Sequence, residues 1–157
     1  MYAGSIYYYF DSRDDLVKEV LAESLMRMHR DIEAMGDVLP KPTTDTERLE
    51  RIIKVLLDAN IRRDDYAIAY NRNFDQVPDH IASEIKRERR RFRTDWDDIL
   101  IAGHDSGEFG KDTDAVLARF LILGAIHWVS RWYDPGGARK PQEITDAFTR
   151  MLIKAIK

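Results

Sequence analysis

The sequence contains no cysteine in 157 residues, which excludes disulfides and thiolate-bound metals. Glycine and proline are sparse, at eight and five, too few for a low-complexity chain. No uninterrupted apolar run approaches the roughly 20 residues of a membrane-crossing helix; the longest, Phe120 to Ile126, is bounded by Arg119 and His127. The N-terminus lacks the basic flank and apolar core of a secretory signal, so a cytoplasmic, non-membrane protein is expected. A basic excess is missing too. Net charge is −3 and the pI about 5.8, and residues 1–35 set Arg13, Lys18, Arg27 and Arg30 against seven carboxylates. Lys and Arg on phosphates supply most non-specific nucleic-acid affinity, so this composition argues against strong DNA binding by the chain alone. Catalytic signatures are also wanting: there is no glycine-rich phosphate loop, no HExxH and no nucleophile elbow. The adjacent pairs Asp14-Asp15, Asp64-Asp65 and Asp97-Asp98 diverge on a helix surface. The histidines at 29, 80, 104 and 127 lack ligand spacing, so neither an enzyme nor a metal or cofactor protein is expected.

What is present is helical periodicity. With 44% hydrophobic and 34% charged residues, the chain has the composition of a helical globular domain. Between Arg13 and Met35, apolar residues recur at three and four, from Leu16 through Leu21, Leu25 and Met28 to Ile32, predicting a long helix closed by Gly36. Ser12, with Asp15 three positions on, has capping-box spacing at its start. Pro40 and Pro42 stiffen the connector that follows. A second helix begins near Asp45, with Leu49, Ile52, Ile53, Leu56, Leu57 and Asn60 on one stripe; Tyr66, Tyr70 and Phe74 then mark a short aromatic helix. A third long helix is predicted from Pro78, where proline suits a first turn, to Gly103. The next, Val116 to Tyr133, is apolar nearly all round, and a domain this small can cover only one side of it, so a partner subunit is expected on the other. After the turn Asp134-Pro135-Gly136-Gly137, Pro141 opens a last amphipathic helix.

Both ends carry a resemblance. Gly4-Ser5-Ile6-Tyr7-Tyr8-Tyr9-Phe10, followed by Ser12, Arg13 and Leu16, resembles the recognition helix and the start of the fourth helix in the TetR family of one-component transcriptional regulators. Tyr9 stands where His is common there, and Arg13 where Lys is common. Gly124-Ala125-Ile126-His127-Trp128-Val129-Ser130-Arg131-Trp132-Tyr133-Asp134-Pro135-Gly136-Gly137, then Pro141 and Glu143, is similar to the eighth and ninth helices of a TetR subgroup. That subgroup includes repressors of fatty-acid and sterol degradation that respond to acyl-coenzyme A thioesters. The resemblance implies an all-α fold. Residues 1–12 would be a remnant of the helix-turn-helix domain and residues 13–157 the effector-binding and dimerisation domain. It implies two bracing helices upstream, so operator binding is expected to need them; in the form given, a ligand-binding and dimerisation module that never touches DNA is the alternative. By the same resemblance Ser5, Tyr7, Tyr8, Tyr9 and Arg13 would face DNA. The last two helices would form a four-helix bundle with a second subunit, Leu121, Ala125, Trp132, Phe148 and Leu152 lying in that homodimer interface.

For a small apolar effector the candidate residues are Asn60, Tyr66, Tyr70, Phe92, Trp96, Phe120 and Trp128. Aromatic residues with polar tips line apolar pockets, and equally fill cores. Asn60 either orients a ligand's polar group or satisfies the helix end. Met26, Met28 and His29 lie where the first helix could meet a ligand, or Met28 fills the core and His29 lies on the surface. Lys86, Arg87, Arg89, Arg90, Arg91 and Arg93 form the one basic run. It either meets the phosphates of a coenzyme A thioester or is a solvated face stitched by Glu88–Arg91, Arg91–Asp95 and Arg93–Asp97 pairs.

Overall fold

The computed structural model describes residues 10–38, 44–62, 65–73 and 77–157, and Ser5, Tyr7, Tyr8 and Tyr9 therefore lie outside the described residues. Among the described residues there are seven helices and no strand: α1 (Arg13–Val38), α2 (Asp45–Ile61), α3 (Asp65–Asn73), α4 (Asp79–Glu84), α5 (Lys86–Asp105), α6 (Ala115–Trp132) and α7 (Pro141–Ile156). The expected all-α fold is the one observed. Helix α1 runs two residues past Gly36, since glycine in a helix interior costs only about 1 kcal/mol against alanine. Its start is held by Ser12, whose Oγ accepts from the Asp15 N–H (3.1 Å) and donates to Asp15 Oδ2 (2.7 Å). Aspartate, a methylene shorter than the glutamate usual in a capping box, meets the hydroxyl rather than the backbone N–H.

The helix expected from Pro78 to Gly103 is two helices. Ile85 leaves helical geometry (φ −88°, ψ 5°) while its N–H still bonds the Ile81 carbonyl at 3.1 Å. Ile81 and Ile85 are both buried, so the break keeps the apolar side of each piece inward.

Helix α2 is the centre of the packing. It lies against α1, α3, α5, α6 and α7, and Leu49, Ile52, Ile53, Val55, Leu56, Leu57, Asn60 and Ile61 are buried along it. Thr44 caps it by accepting from the Glu47 N–H, and Glu108, from the loop after α5, accepts from the N–H groups of Asp45 (3.2 Å) and Thr46 (2.8 Å). These bonds hold the Glu108 carboxyl below its ordinary pKa, since hydrogen bonds to the charged form favour it. The same loop ties in α7, because the Gly110 N–H and Thr113 Oγ both donate to the Ile156 carbonyl.

Helix α6 is, by length and composition, apolar enough to cross a membrane, although no uninterrupted run within it is. The averaged hydropathy absorbs Arg119 and His127. Here α6 is a bundle helix: Ala118, Arg119, Ile122, Ile126 and Val129 turn inward against α2 and α5. It starts at Asp114, whose Oδ1 accepts from the Leu117 N–H. After it, the Asp134 turn is closed by the Gly137 and Gly136 N–H groups. Lys140 then opens α7, its N–H donating to Glu143 Oε2.

Where α5 ends, Phe109 folds back across Gly103. A Cβ at Gly103 would stand 2.1 Å from Phe109 Cε2, and Phe109 is itself buried. Gly103→Ala is expected to destabilise the fold by about 1–3 kcal/mol, the usual cost of overpacking. Denaturant unfolding checks this; an unchanged midpoint would show that Phe109 leaves its seat without cost.

Candidate functional site

Two cavities flank α5 and share Phe92 as a wall. The larger, about 640 Å³, opens between α3, α4, α5 and α6. Its apolar lining is Tyr70, Ala82, Phe92, Phe120 and Leu123; its polar lining is Lys86, Arg89, Arg90, Arg93, Arg119 and His127. Among the described residues, no carboxylate lines it. The reason lies in where the acidic residues of α5 point. Asp97 faces Arg119 of α6 (Oδ1 to Nη1, 3.4 Å), Asp95 faces His29 of α1 (3.3 Å), and Arg91 reaches Glu33 of α1 (3.5 Å). Glu88 is taken by its neighbour Arg87 (2.9 Å), which holds its carboxyl below the ordinary range. Arg91–Asp95 and Arg93–Asp97 thus give way to pairs with other helices, while Glu88 stays paired within α5, on Arg87. Among the described residues, no carboxylate comes within ion-pair distance of Lys86, Arg90 or Arg93.

Arg119 was not singled out in the sequence. It is buried within α6, with its guanidinium 5.3 Å from the Phe120 ring centroid. A buried arginine is costly unless paired, and Asp97 supplies the pair. The signal was available: an arginine in the second turn of the helix, on the face shared by Ile122, Ile126 and Val129.

The smaller cavity, about 360 Å³, lies between α1, α2 and α5 and is lined by His29, Ile32, Ile52, Phe92, Trp96 and Ile99, with charged residues at its rim. His29 is not on the surface. Its side chain is 13% exposed and meets the Phe92 ring edge-on at 6.0 Å. Phe92 in turn packs edge-on against Trp96 at 6.2 Å. Met28 packs against the core, and Met26 is exposed.

Of the seven effector candidates, Tyr70, Phe92 and Phe120 line the larger cavity, and Trp96 joins Phe92 in the smaller. The other three line neither. Asn60 is buried with its Nδ2 donating to the Leu56 carbonyl at 2.8 Å. Tyr66 lies under the Arg27 guanidinium (3.9 Å to the ring centroid), and Trp128 is 65% exposed.

Trp128 belongs to an uncovered apolar face. Val116, Leu117, Phe120, Leu121, Trp128 and Trp132 of α6 are exposed, and Met151 of α7 with them. Among the residues expected at a dimer interface, Leu121 and Trp132 are exposed there, and Ala125 and Phe148 are partly buried. The Phe148 ring stacks on Trp132 at 5.8 Å. Leu152 is buried inside the protomer. Arg13 is the exposed first residue of α1.

Burial, the largest influence, holds the His29 imidazole below its ordinary pKa; Asp95 opposes it less strongly. The fold therefore accommodates the neutral ring. The unfolded chain takes up a proton first as pH falls through about 6.5, so the stability carried by neutral His29 is present above that pH and lost below it. The Tm is expected to fall between about pH 7.5 and about pH 5.5, and to fall less in His29→Gln. Thermal melts of both proteins at both pH values check this; equal falls would assign the effect to another group.

Residues 42–156 match the family described as "Tetracyclin repressor-like, C-terminal domain". The HTH-type transcriptional repressor KstR2 of Rhodococcus jostii (strain RHA1) is 33% identical over 98% of this chain and 74% of its own length. The solved structure of the ketosteroid transcriptional regulator KstR2 of Mycobacterium tuberculosis superposes with a TM-score of 0.76 at 24% identity, over 100% of this chain and 79% of that one. AibR, solved in complex with isovaleryl coenzyme A and operator DNA, superposes with a TM-score of 0.82 at 14% identity, over 98% of this chain and 81% of that one. At these identities the two structures show the shared fold.

Proposed function

The chain belongs to the TetR family of transcriptional regulators, and we propose that it serves a homodimeric repressor released from its operator by an apolar effector with an anionic head, an acyl-coenzyme A thioester fitting best. The observation that carries this reading is the larger cavity, where Lys86, Arg90, Arg93 and Arg119, with Arg89 beside them, surround an apolar floor and, among the described residues, no carboxylate lines it. Arginine matches phosphate oxygens in a fork geometry, and Tyr70, Phe92, Phe120 and Leu123 suit an acyl chain. The complex of AibR with isovaleryl coenzyme A and operator DNA is a precedent on the same fold. The KstR2 relatives are repressors by name, which supports the sign of regulation.

In this reading the signal runs through Phe92. A ligand in the larger cavity displaces that ring, which bears on His29 of α1. Helix α1 begins at Arg13, next to the segment that the family resemblance assigns to DNA through Ser5, Tyr7, Tyr8 and Tyr9. Shifting α1 in each subunit alters the spacing of the two DNA-reading segments, and the effector releases DNA because it binds the wrongly spaced state more tightly. The partner subunit covers the exposed face of α6 and α7, giving the two-fold symmetry that a palindromic operator requires. The compartment is the cytoplasm, where the operator is.

Octanoyl-coenzyme A is expected to bind with an affinity that falls as salt rises. Arg90→Ala combined with Arg93→Ala is expected to weaken it about tenfold or more, since charge-assisted hydrogen bonds contribute roughly 1.5–3 kcal/mol each. Calorimetric titration with the thioester and with free octanoate separates the contributions of head and chain. Unchanged affinity in the double variant would exclude this cavity as the phosphate site. Selection from a random DNA library, by the chain and by forms extended upstream in its reading frame, tests the operator; failure of every form would favour a ligand-binding module without DNA contact.

Leu121→Asp is expected to raise the dimer dissociation constant about 30-fold or more, as loss of a buried hot-spot contact does. Sedimentation equilibrium reads it directly. Helical content should stay unchanged, because Leu121 is 52% exposed in the protomer.

A further inference from the structure

Helix α6 turns five residues to the larger cavity: Arg119, Phe120, Leu123, Gly124 and His127. These positions share one face of the helix, and Gly124 alone among them brings no side chain. Glycine is a poor helix former, second only to proline, so its place midway along α6 calls for a reason. The two reasons met elsewhere in this fold do not apply. At Gly103 the ring of Phe109 fills the space a Cβ would need, whereas at Gly124 a Cβ would meet no atom of the described residues within 4 Å. At Gly107 the backbone is left-handed, with φ 79°; Gly124 is helical. What remains is close approach of the bare backbone to another molecule.

The open space belongs to the cavity. Phe120 lies four residues before Gly124 and His127 three after it, so helical geometry sets them one turn away on either side, flanking a slot. The other walls are Tyr70 of α3, Ala82 of α4 and Phe92 of α5, among the cationic residues. An apolar helix of a second subunit gains nothing from those cations, whereas an effector with an anionic head is held by them. The geometry points to Gly124 as the residue that sets how large an apolar body the cavity admits. The acyl group lies against the backbone of α6 between Phe120 and His127, and a larger side chain at position 124 would occupy its place. This assignment rests on the reading of the larger cavity as the effector site.

Gly124→Leu is expected to raise the Tm by about 2–4 °C, because leucine is the better helix former. The same change is expected to weaken octanoyl-coenzyme A about tenfold or more, the effect of added methylenes in an apolar pocket, and to leave coenzyme A itself unchanged. A loss of binding in a protein that melts higher is not misfolding. Gly124→Cys adds a second measurement, since the chain has no other thiol. Alkylation of that thiol by iodoacetamide is expected to proceed in the dimer and to slow at saturating octanoyl-coenzyme A. Octanoyl-coenzyme A bound as tightly by Gly124→Leu as by the native chain overturns the proposal. So does a thiol that reacts only on dilution to monomers, which assigns the open space to the partner subunit. If the native chain binds no octanoyl-coenzyme A, the thioester reading fails separately. Protection of the thiol by anilinonaphthalene sulfonate, an anion on an aromatic body, then supports the role of Gly124, and lack of protection overturns it.

Discussion

The burial of α2 is the constraint on which the rest of the fold depends. Five other helices pack on it, and Leu49, Ile53 and Leu57 are fully enclosed. Each such side chain contributes about 1.5–3 kcal/mol relative to exposure. Its first turn is fixed from outside by Glu108, and the loop that carries Glu108 also anchors the end of α7. The close contact of Phe109 on Gly103 sets where that loop leaves α5. One short segment thus registers three helices against one another, and the walls of both cavities are built on that register.

The distribution of charge on α5 converts this scaffold into a site. A helix with as many basic residues as α5 would ordinarily neutralise itself along its own surface. Here Asp95 and Asp97 turn instead toward α1 and α6, and Arg91 reaches Glu33. The acidic groups are thereby drawn to the helix–helix seams, and cations dominate the open side between α4 and α6. Arg119, held in the seam by Asp97, adds a fifth basic residue from the opposite wall. Phe92 stands between this cationic cavity and the smaller one. It gives the two cavities a common wall, and its ring meets His29 of α1.

Helix α6 serves two environments. Its inner face is core, and its outer face exposes the large apolar side chains of Val116, Leu117, Phe120, Leu121, Trp128 and Trp132. Large exposed apolar patches mark interaction surfaces. Phe120 sits at the junction, lining the cationic cavity while remaining 62% exposed. Occupancy of the cavity and coverage of the face therefore share a residue.

Much of the fold was legible in the sequence. Residues at spacings of three and four located α1, α2, α6 and α7, and the side-chain cap at Ser12 marked a start, because helix formation is dictated by local periodicity and end chemistry. The break at Ile85 was not legible, since Ile81 and Ile85 continue a helical stripe across it and only packing on the rest of the domain bends the chain there. Nor could the sequence by itself choose between a solvated basic face and a cationic cavity. Along α5 Arg91 and Arg93 have acidic neighbours at helical spacing, and which carboxylate is drawn away depends on groups dozens of residues distant, Glu33 and His29 before it and Arg119 after it. The same holds for the aromatic residues. Tyr70, Phe92, Trp96 and Phe120 came to cavities while Tyr66 went under Arg27 and Trp128 to the outer face, because periodicity states which residues share a side of a helix but not what lies opposite. The sequence alone determined most of the helices and, through its two end motifs, the family; the tertiary structure decided which charges pair between helices and which basic residues line a cavity, because both depend on groups brought together only by packing.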